Sequence, residues 1–392
     1  MNTQRKKVVV RRKRKTESIA KEKKGRIKQG KMDYGFLAMV ITLLILGLLM
    51  VFSASYPSAY YYHNNGYYFI QRQFLWAVLG AVAMAITAVY PYKNYKKYAK
   101  PILLISALFL VAVLVVGNEI NGAKRWLGVG GMSIQPSEIA KIALIIFFAY
   151  MMAKDGKKIE KFGSLIKYAL VLIVFMGLLM LQPHFSVCII IGLTMVIMLL
   201  VDGARLRYFA LASVPVVVGG VALVIYEPYR LARLTTFMDP FADTQGAGWQ
   251  VIQSLYAIGS GGLFGVGFGN SRQKFMYVPE PQNDFIFAIV CEELGLIGAA
   301  AILVIFGILI FRGLKIAINA PDTFSSMLVT GIISLVGVQV LLNIAVVTSS
   351  IPTTGIPLPF FSAGGSSLLF LMASMGIVLN VSRYSKVTVE KL

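Results

Sequence analysis

Long apolar runs without charged residues are the feature that most constrains this chain. Several of them extend for about 20 residues, the length that a helix needs to cross the hydrocarbon core of a bilayer. The chain has 392 residues, of which 57% are hydrophobic and only 14% are charged, so too few polar residues remain to cover a water-soluble core. The sequence therefore predicts an all-α polytopic membrane protein.

We predict about ten transmembrane helices from these runs. In chain order they cover residues 34–53, 74–90, 101–116, 137–153, 165–182, 186–201, 208–226, 284–311, 326–346 and 367–382. A long polar loop, 227–283, separates the seventh and eighth helices. No repeat of fixed period is visible, so residues 34–385 are predicted to form one membrane domain.

Lysine and arginine are unevenly distributed along the chain, whose net charge is +21. The short loops richest in these residues are 91–100, 154–167, 202–207 and 312–315. Successive loops alternate between the two sides of the membrane, and these basic loops all fall on the same side as the basic N-terminus. The positive-inside rule assigns that side to the cytoplasm. Both termini are then cytoplasmic. The loops predicted to face outward are 54–73, 117–136, 183–185, 227–283 and 347–366.

The two ends of the chain lie outside the predicted membrane domain. Residues 1–32 hold fourteen Lys or Arg against two Glu, and we interpret 1–33 as a disordered cytoplasmic tail that contacts anionic membrane lipids rather than nucleic acid. Residues 386–392 form a short cytoplasmic tail. The two cysteines and two histidines are scattered, so the sequence predicts neither a disulfide framework nor a transition-metal site.

The loop before the fourth span carries cations on the side where the positive-inside rule disfavours them. Lys124 and Arg125 lie there, and an outward pair of cations favours an anionic partner such as a phosphate. Glu138 and Lys141 follow at the start of the span, three residues apart, where they would share a helix face and pair. This pair could bind substrate or be purely structural.

A second group of polar residues precedes the eighth span. The glycines of the stretch 259–269 could let backbone amides approach a phosphate, but a lone glycine run more commonly indicates a loose loop, which is our interpretation. Arg272 and Glu280 follow it. Asp284 lies where polar loop meets apolar helix, so desolvation could raise its pKa and let it act as a base. Asp is also a preferred N-cap residue, which leaves a purely structural role open.

Two further features lie near the predicted outward face. Glu292 and Glu293 are carboxylates about two turns into the eighth span, so each is a functional candidate or the partner of a cation such as Lys141. The segment 352–367 contains prolines that prevent a regular helix, and irregular backbone at this depth must face protein or a cavity. Ser366 and Ser367 end this segment.

Together these stretches resemble the SEDS family of shape, elongation, division and sporulation proteins, which includes FtsW and RodA. The resemblance covers residues 34–385 and is closest to FtsW-like members. It rests on AKRW at 123–126, QPSEIAK at 135–141, PEPQNDFIF at 279–287, EELG at 292–295, TGIPLPFFS at 354–362 and GGSS at 364–367.

The resemblance implies a peptidoglycan glycosyltransferase that polymerises lipid II at the outer face of the bacterial cytoplasmic membrane and releases undecaprenyl pyrophosphate. It places the essential acid of the family on Asp284. It also implies a class B penicillin-binding transpeptidase as partner, together with other divisome or elongasome proteins. The predicted substrate-binding residues are Lys124, Arg125, Glu138, Lys141, Arg272, Glu280, Glu293, Ser366 and Ser367.

Some expectations remain open at this point. His184 stands where the family often has an acid, and Ala363 where an aromatic is usual. No ligand cluster demands a metal, although a divalent cation such as Mg²⁺ or Mn²⁺ held by phosphate would serve the leaving group. A lipid II flippase and a non-catalytic scaffold are the alternatives. The long basic tail favours a role in division over elongation or sporulation.

Overall fold

The computed structural model describes residues 30–120, 123–129, 132–211, 219–220, 228–244, 246 and 248–385. The basic tail up to residue 29, the C-terminal tail 386–392 and most of the seventh predicted span lie outside the described residues. The main helices are α1 Tyr34–His63, α2 Tyr68–Val89, α3 Tyr92–Lys97, α4 Ala99–Val116, α5 Pro136–Asp155, α6 Phe162–Met180, α7 Phe185–Val201, α8 Pro228–Met238, α9 Trp249–Gly261, α10 Ile286–Ile318, α11 Thr323–Val347 and α12 Gly365–Ser382.

The predicted all-α membrane architecture is confirmed. Within the described ranges, eight helices are long and apolar enough to cross a membrane, and the 17-residue helix α7 is a shorter apolar one. These helices correspond to nine of the ten predicted spans, and the remaining one is the span that is largely outside the description. Their limits differ from the predicted ones mainly where polar or aromatic turns extend a helix, as at the end of α1.

Three helices form the centre of the bundle and others form its perimeter. About 70% of the apolar stretch of α5, α11 and α12 is buried (72, 67 and 67%), whereas α2, α4 and α6 bury only 22, 22 and 17%. The outer surfaces of the peripheral helices carry exposed apolar side chains such as Phe74, Leu104 and Ile173. Apolar surface of this extent is suited to contact with lipid tails.

Contacts at the helix ends establish which segments share an end of the bundle. Asp33 caps the start of α1 by accepting from the Phe36 amide, and its own amide donates to Ser382 Oγ at the end of α12. The Arg312 guanidinium near the end of α10 lies 2.9 Å from the Asp33 carboxylate. These three helix termini therefore meet at one end, as the predicted alternation of spans requires.

A small antiparallel sheet occupies part of the predicted loop 117–136, and sequence patterning did not indicate it. Strands β1 Asn118–Ile120, β2 Ala123–Val129 and β3 Met132–Ile134 pair in the order β1-β2-β3, with Leu127 opposite Ile134. Backbone N–H and C=O groups outside a helix lack intrahelical hydrogen-bond partners, and pairing with a neighbouring strand supplies them. The sheet carries Lys124 and Arg125 on its central strand.

The eighth predicted span is interrupted, which sequence patterning did not indicate. Gly295 within α10 has φ 66° and ψ −172°, so the helix breaks there. The part after the break, 296–318, is about 34 Å long at 1.5 Å per residue and is sufficient to cross the bilayer. The earlier part therefore forms a short separate segment, and Glu292 and Glu293 belong to this segment rather than to the crossing helix.

The glycine-rich stretch occupies the break, so its interpretation as a loose loop is wrong. The amides of Val266 and Gly267 donate to the carbonyls of Glu292 and Glu293 at 2.9 and 3.1 Å, and the Leu296 amide donates to Gly262 O at 2.9 Å. These bonds satisfy the backbone groups that the helix break releases. The two backbones can approach this closely because Gly265 and Gly295 face each other and both lack a Cβ atom.

Alanine at position 295 is expected to destabilise the protein by about 2 kcal/mol, because of the positive φ and because an added Cβ would lie within 2.3 Å of the Gly265 nitrogen. Gly307→Ala is the matched control in the same helix, since nothing lies within 4 Å of its added Cβ. Thermal unfolding of the two purified variants measures the difference. Equal melting temperatures would contradict the assignment of the break.

Candidate functional site

Asp284 lies in the turn that precedes α10. The N-cap residue of that helix is Phe285, and no side chain caps it, so the purely structural N-cap interpretation of Asp284 is wrong. Asp284 is partly buried, between the fully buried Phe285 and the segment 352–364. An added Cβ on Gly355 would lie 3.6 Å from its Oδ2 atom, which locates the carboxylate against that segment.

Two side chains fasten the segment 352–364 to the turn that carries Asp284. Asn343 of α11 is fully buried, and its Nδ2 donates to the carbonyls of both Asp284 and Ile356, each at 2.7 Å. Ser362 Oγ donates to Asn283 O at 2.6 Å and accepts from the Leu358 amide at 2.7 Å. The Asp284 backbone is therefore held independently of its carboxylate, which remains available for chemistry.

The surroundings of Asp284 raise the pKa of its carboxyl to about 6, and burial is the main cause. The negative charge of Glu280 acts in the same direction, whereas the positive charge of Arg233 opposes it. Arg233 belongs to α8 and donates to Thr353 O at 2.8 Å, so it is held beside the same segment. A carboxylate with this pKa is an effective base near neutral pH.

Cationic and polar side chains gather next to this segment. Arg125 Nε donates to Gln182 O at 3.1 Å, and its guanidinium also donates to Pro183 O. Ser186, at the start of α7, donates its hydroxyl to Thr354 O. The turn between α6 and α7 thus connects Arg125 on the sheet with the segment that borders Asp284. These contacts bring parts of the loops 117–136, 183–185 and 347–366 together at one end of the bundle.

His184 lies in this turn as a neutral donor or acceptor rather than as a charge. Burial, followed by the positive charges of Arg125 and Lys141, lowers the pKa of its imidazole to about 3. Its Nε2 lies 2.6 Å from the Gln135 side-chain nitrogen, so the neutral ring accepts from that amide. Where the family often has an acid, this chain has a neutral group between two cations.

Glu138 and Lys141 form the predicted ion pair. Their side chains are 2.8 Å apart and almost fully buried at the start of α5. Together with Gln339 and Ser367, they line a cavity of about 30 Å³. A cavity of this size has room for a water molecule. Ser366 Oγ accepts from the Gln135 amide, and Ser367 Oγ donates to Gly364 O. Their roles in substrate binding stay predictions.

Glu293 belongs to a different cluster and pairs with Lys274 instead of Lys141. Its carboxylate lies 2.9 Å from Lys274 Nζ and also accepts from Ser53 Oγ on α1. Glu292 accepts from Ser271 Oγ and from the Arg272 amide. Both carboxylates are 1% exposed, so they hold the 265–275 loop against the helix break. Direct contact of Glu293 with substrate stays a prediction without support from this geometry.

The other predicted binding residues are exposed. Lys124 lies on β2, and Arg272 lies at the start of the turn that leads to Asp284. Glu280 is also exposed, with φ 44°, and accepts from Asn283 Nδ2 at 2.7 Å. Within the described residues, no three His, Cys, Asp or Glu side chains come together as a metal centre would require.

Sequence reasoning missed Asn343 as the residue that positions Asp284. A signal was available, because Asn343 and Gln339 are amides four residues apart in an otherwise apolar span, and polar groups at that depth are commonly functional. Arg233 is one of several cations in the long loop 227–283, and nothing in the local sequence distinguishes it from the others. Its position beside Thr353 depends on a contact across 120 residues of sequence, which local patterning does not reveal.

The fold and the site define a polytopic membrane protein whose chemically active groups meet at one end of a helical bundle. The family model described as cell cycle protein, covering FtsW, RodA and SpoVE, matches residues 34–387. The chain belongs to this family, and the resemblance predicted from its motifs is confirmed.

Curated relatives of two kinds are similar to the chain over most of its length. Stage V sporulation protein E of Bacillus subtilis (strain 168) is 45% identical over 89% of this chain and 97% of the relative. A probable peptidoglycan glycosyltransferase FtsW of Trichlorobacter lovleyi is 40% identical over 89% of this chain and 93% of the relative.

Solved structures share the fold. A chain from a study of how a peptidoglycan synthase complex coordinates polymerization and crosslinking has a TM-score of 0.75, 29% identity, and coverage of 90% of this chain and 98% of that one. The rod shape determining protein RodA of Thermus thermophilus has a TM-score of 0.68 at 27% identity, with coverage of 91% and 98%.

Lys274→Met is expected to lower the free energy of unfolding by about 3–5 kcal/mol, because it leaves the Glu293 carboxylate buried without a counter-charge. Adding Glu293→Gln is expected to recover much of this loss. The control is Lys167→Met, which breaks the ion pair between Lys167 and Asp155. Because Lys167 is 45% exposed, we expect this substitution to cost about 1 kcal/mol or less. Thermal unfolding tests all three, and equal losses for the two lysine variants would contradict the structural role.

Proposed function

We propose that this protein is a peptidoglycan glycosyltransferase that polymerises lipid II at the outer face of the bacterial cytoplasmic membrane. The observation that carries the proposal is a partly buried Asp284 with a raised pKa, fixed through its backbone and close enough to Arg233 for the charge of that residue to act on it. Arg125 lies at the same end of the bundle, bonded to the turn between α6 and α7. The names of the FtsW relatives and the family membership support the same activity.

In the proposed reaction, the C4 hydroxyl of one lipid-linked disaccharide attacks the anomeric carbon of the growing chain. The bond from C4 oxygen to the anomeric carbon forms, and the bond from that carbon to the pyrophosphate oxygen breaks. An alcohol is a weak nucleophile, so Asp284 accepts its proton as attack proceeds. The products are a chain longer by one disaccharide and undecaprenyl pyrophosphate.

The leaving pyrophosphate develops negative charge, which fixed cations stabilise. Arg125 is suited to this role because two main-chain carbonyls hold its guanidinium at the rim. Lys124 and Arg272 are exposed cations that could reach phosphate from either side. A divalent cation such as Mg²⁺ or Mn²⁺ remains a proposal, and it would depend largely on substrate phosphate for its ligands.

The proposed setting follows from the charge pattern and the relatives. The basic loops support an orientation with both termini in the cytoplasm and the Asp284 end outside. A class B penicillin-binding protein is the proposed partner, since a solved relative comes from a complex that couples polymerization to crosslinking. Cell division is the proposed process. One relative is instead named for sporulation, which is the alternative process.

A flippase would need polar groups along a path at several depths of the bilayer. In the described helices, Glu138, Lys141 and Asn343 all lie near the Asp284 end instead. This distribution favours chemistry at one surface. A scaffold without activity would not require a carboxylate with a raised pKa.

Asp284→Asn is expected to reduce polymer formation by at least about a hundredfold, because an amide cannot accept the proton in the transition state. Folding is expected to be retained, since Asn343 holds the backbone and not the carboxylate at this position. The control is Glu119→Gln, an exposed carboxylate on β1 at the same end. Gel analysis of labelled lipid II products measures both, and normal polymerisation by folded Asp284→Asn would refute the base assignment.

The rate of polymerisation is expected to fall about tenfold per pH unit below the pKa of Asp284, which is about 6, since a base must be deprotonated to act. Arg233→Gln removes the charge that lowers this pKa, so its acid limb should move to higher pH. Glu280→Gln removes a charge that raises it, so its limb should move to lower pH. The pH dependence of kcat/KM distinguishes these shifts, and movement in the same direction would contradict the assignment.

A further inference from the structure

A second cavity opens at the end of the bundle opposite Asp284. Its volume is about 380 Å³, and it lies between the start of α1, the last turns of α10 and the end of α12. The site proposed for polymerisation contributes none of its lining residues. Its position is at the level where the basic loops of the chain meet the membrane surface.

The lining of this cavity is divided between apolar and polar groups along α10. Ile308 and Phe311 lie towards the middle of the helix, and Arg312, Lys315 and Asn319 follow on the same face at helical spacing. Phe311 is 67% exposed. An apolar wall that leads to a cluster of donors matches an amphiphile, with its acyl chain along the wall and its headgroup among the donors.

The charges of the cavity select an anionic headgroup. Arg312 is paired with Asp33 at 2.9 Å, whereas Lys315 is exposed and forms no ion pair with any residue in the described part of the chain. The cavity therefore carries one net positive charge. Ser382 and Ser385 add hydroxyl groups to its lining. Arginine, lysine and hydroxyl groups are the usual ligands of a phosphate.

The basic N-terminal segment is not a suitable occupant of this cavity. Residues 1–32 carry fourteen Lys or Arg against two Glu, so the charge of the cavity repels them. The same segment is drawn to an anionic membrane surface, which would concentrate acidic lipids around the cavity. Charge thus favours lipid over the chain itself.

We propose that this cavity binds the headgroup phosphate of an anionic phospholipid, with Lys315 and Arg312 as its cationic ligands. The bound lipid joins the ends of α1, α10 and α12, which are otherwise held together there by the Asp33–Arg312 pair and the bond from the Asp33 amide to Ser382. The site is independent of the proposed polymerase activity, because it depends only on groups at the other end of the bundle.

The test uses the full chain in detergent, with thermal unfolding followed during titration with phosphatidylglycerol, phosphatidylcholine or inorganic phosphate. Phosphatidylglycerol is expected to raise the melting temperature, and Lys315→Gln is expected to raise the half-maximal lipid fraction about fivefold. Lys315→Arg should behave like the unmodified chain. Lys158→Gln is the matched control, since this exposed lysine belongs to the same set of basic loops and lies away from the cavity.

Several results would overturn the proposal. An equal effect of phosphatidylcholine would show that charge is not recognised, and an equal effect of inorganic phosphate would indicate a free-anion site. Equal losses in the Lys315 and Lys158 variants would indicate general attraction to the surface. A photoactivatable phosphatidylglycerol on the unmodified chain gives an independent readout, expected at residues 308–319. Crosslinking of the lipid to the N-terminal segment instead of to residues 308–319 would also refute the assignment.

Discussion

The organising constraint of this structure is the need to satisfy irregular backbone at the end of a membrane bundle. The segment 352–364 contains prolines and cannot form a helix, yet several of its own side chains, such as Phe361, are buried. Asn343 and Ser362 provide the bonds that it lacks, and they connect it to the turn before α10. The position of Asp284 is a direct consequence, because the same Asn343 amide holds its carbonyl.

This arrangement explains how one carboxylate can be both fixed and reactive. The chain holds Asp284 through main-chain atoms, so its side chain need not be consumed by structural hydrogen bonds. The neighbouring carboxylates show the opposite solution, because Glu292 and Glu293 accept from hydroxyl, amide or ammonium groups on the 271–274 turn and on α1. Acids close in sequence thus differ in both burial and contacts, and the carboxylates of Glu292 and Glu293 are engaged in structural hydrogen bonds.

Much of the fold was predictable from the sequence, since length and hydropathy define a membrane helix locally. The Glu138–Lys141 pair was predictable for the same reason, because it depends on spacing within one helix. The break at Gly295 was not, since it depends on backbone from residues 262–267 fitting against a position that lacks a side chain. The sheet and the Lys274–Glu293 pair likewise depend on contacts that hydropathy does not encode.

The sequence predicted which residues belong to the candidate site more completely than it predicted the hydrogen bonds that link them. Motifs directed attention to Asp284, Arg125 and the 352–367 segment, and these do lie at one end of the bundle. What joins them is a set of hydrogen bonds from side chains to main-chain carbonyls. The donors are Arg125, Asn343, Ser186 and Arg233. Carbonyl acceptors are present at every residue, so no pattern of side chains identifies which of them are used. Only the folded path of the chain determines that these bonds link the sheet, the 182–186 turn, α8 and the segment 352–364 to the turn that carries Asp284.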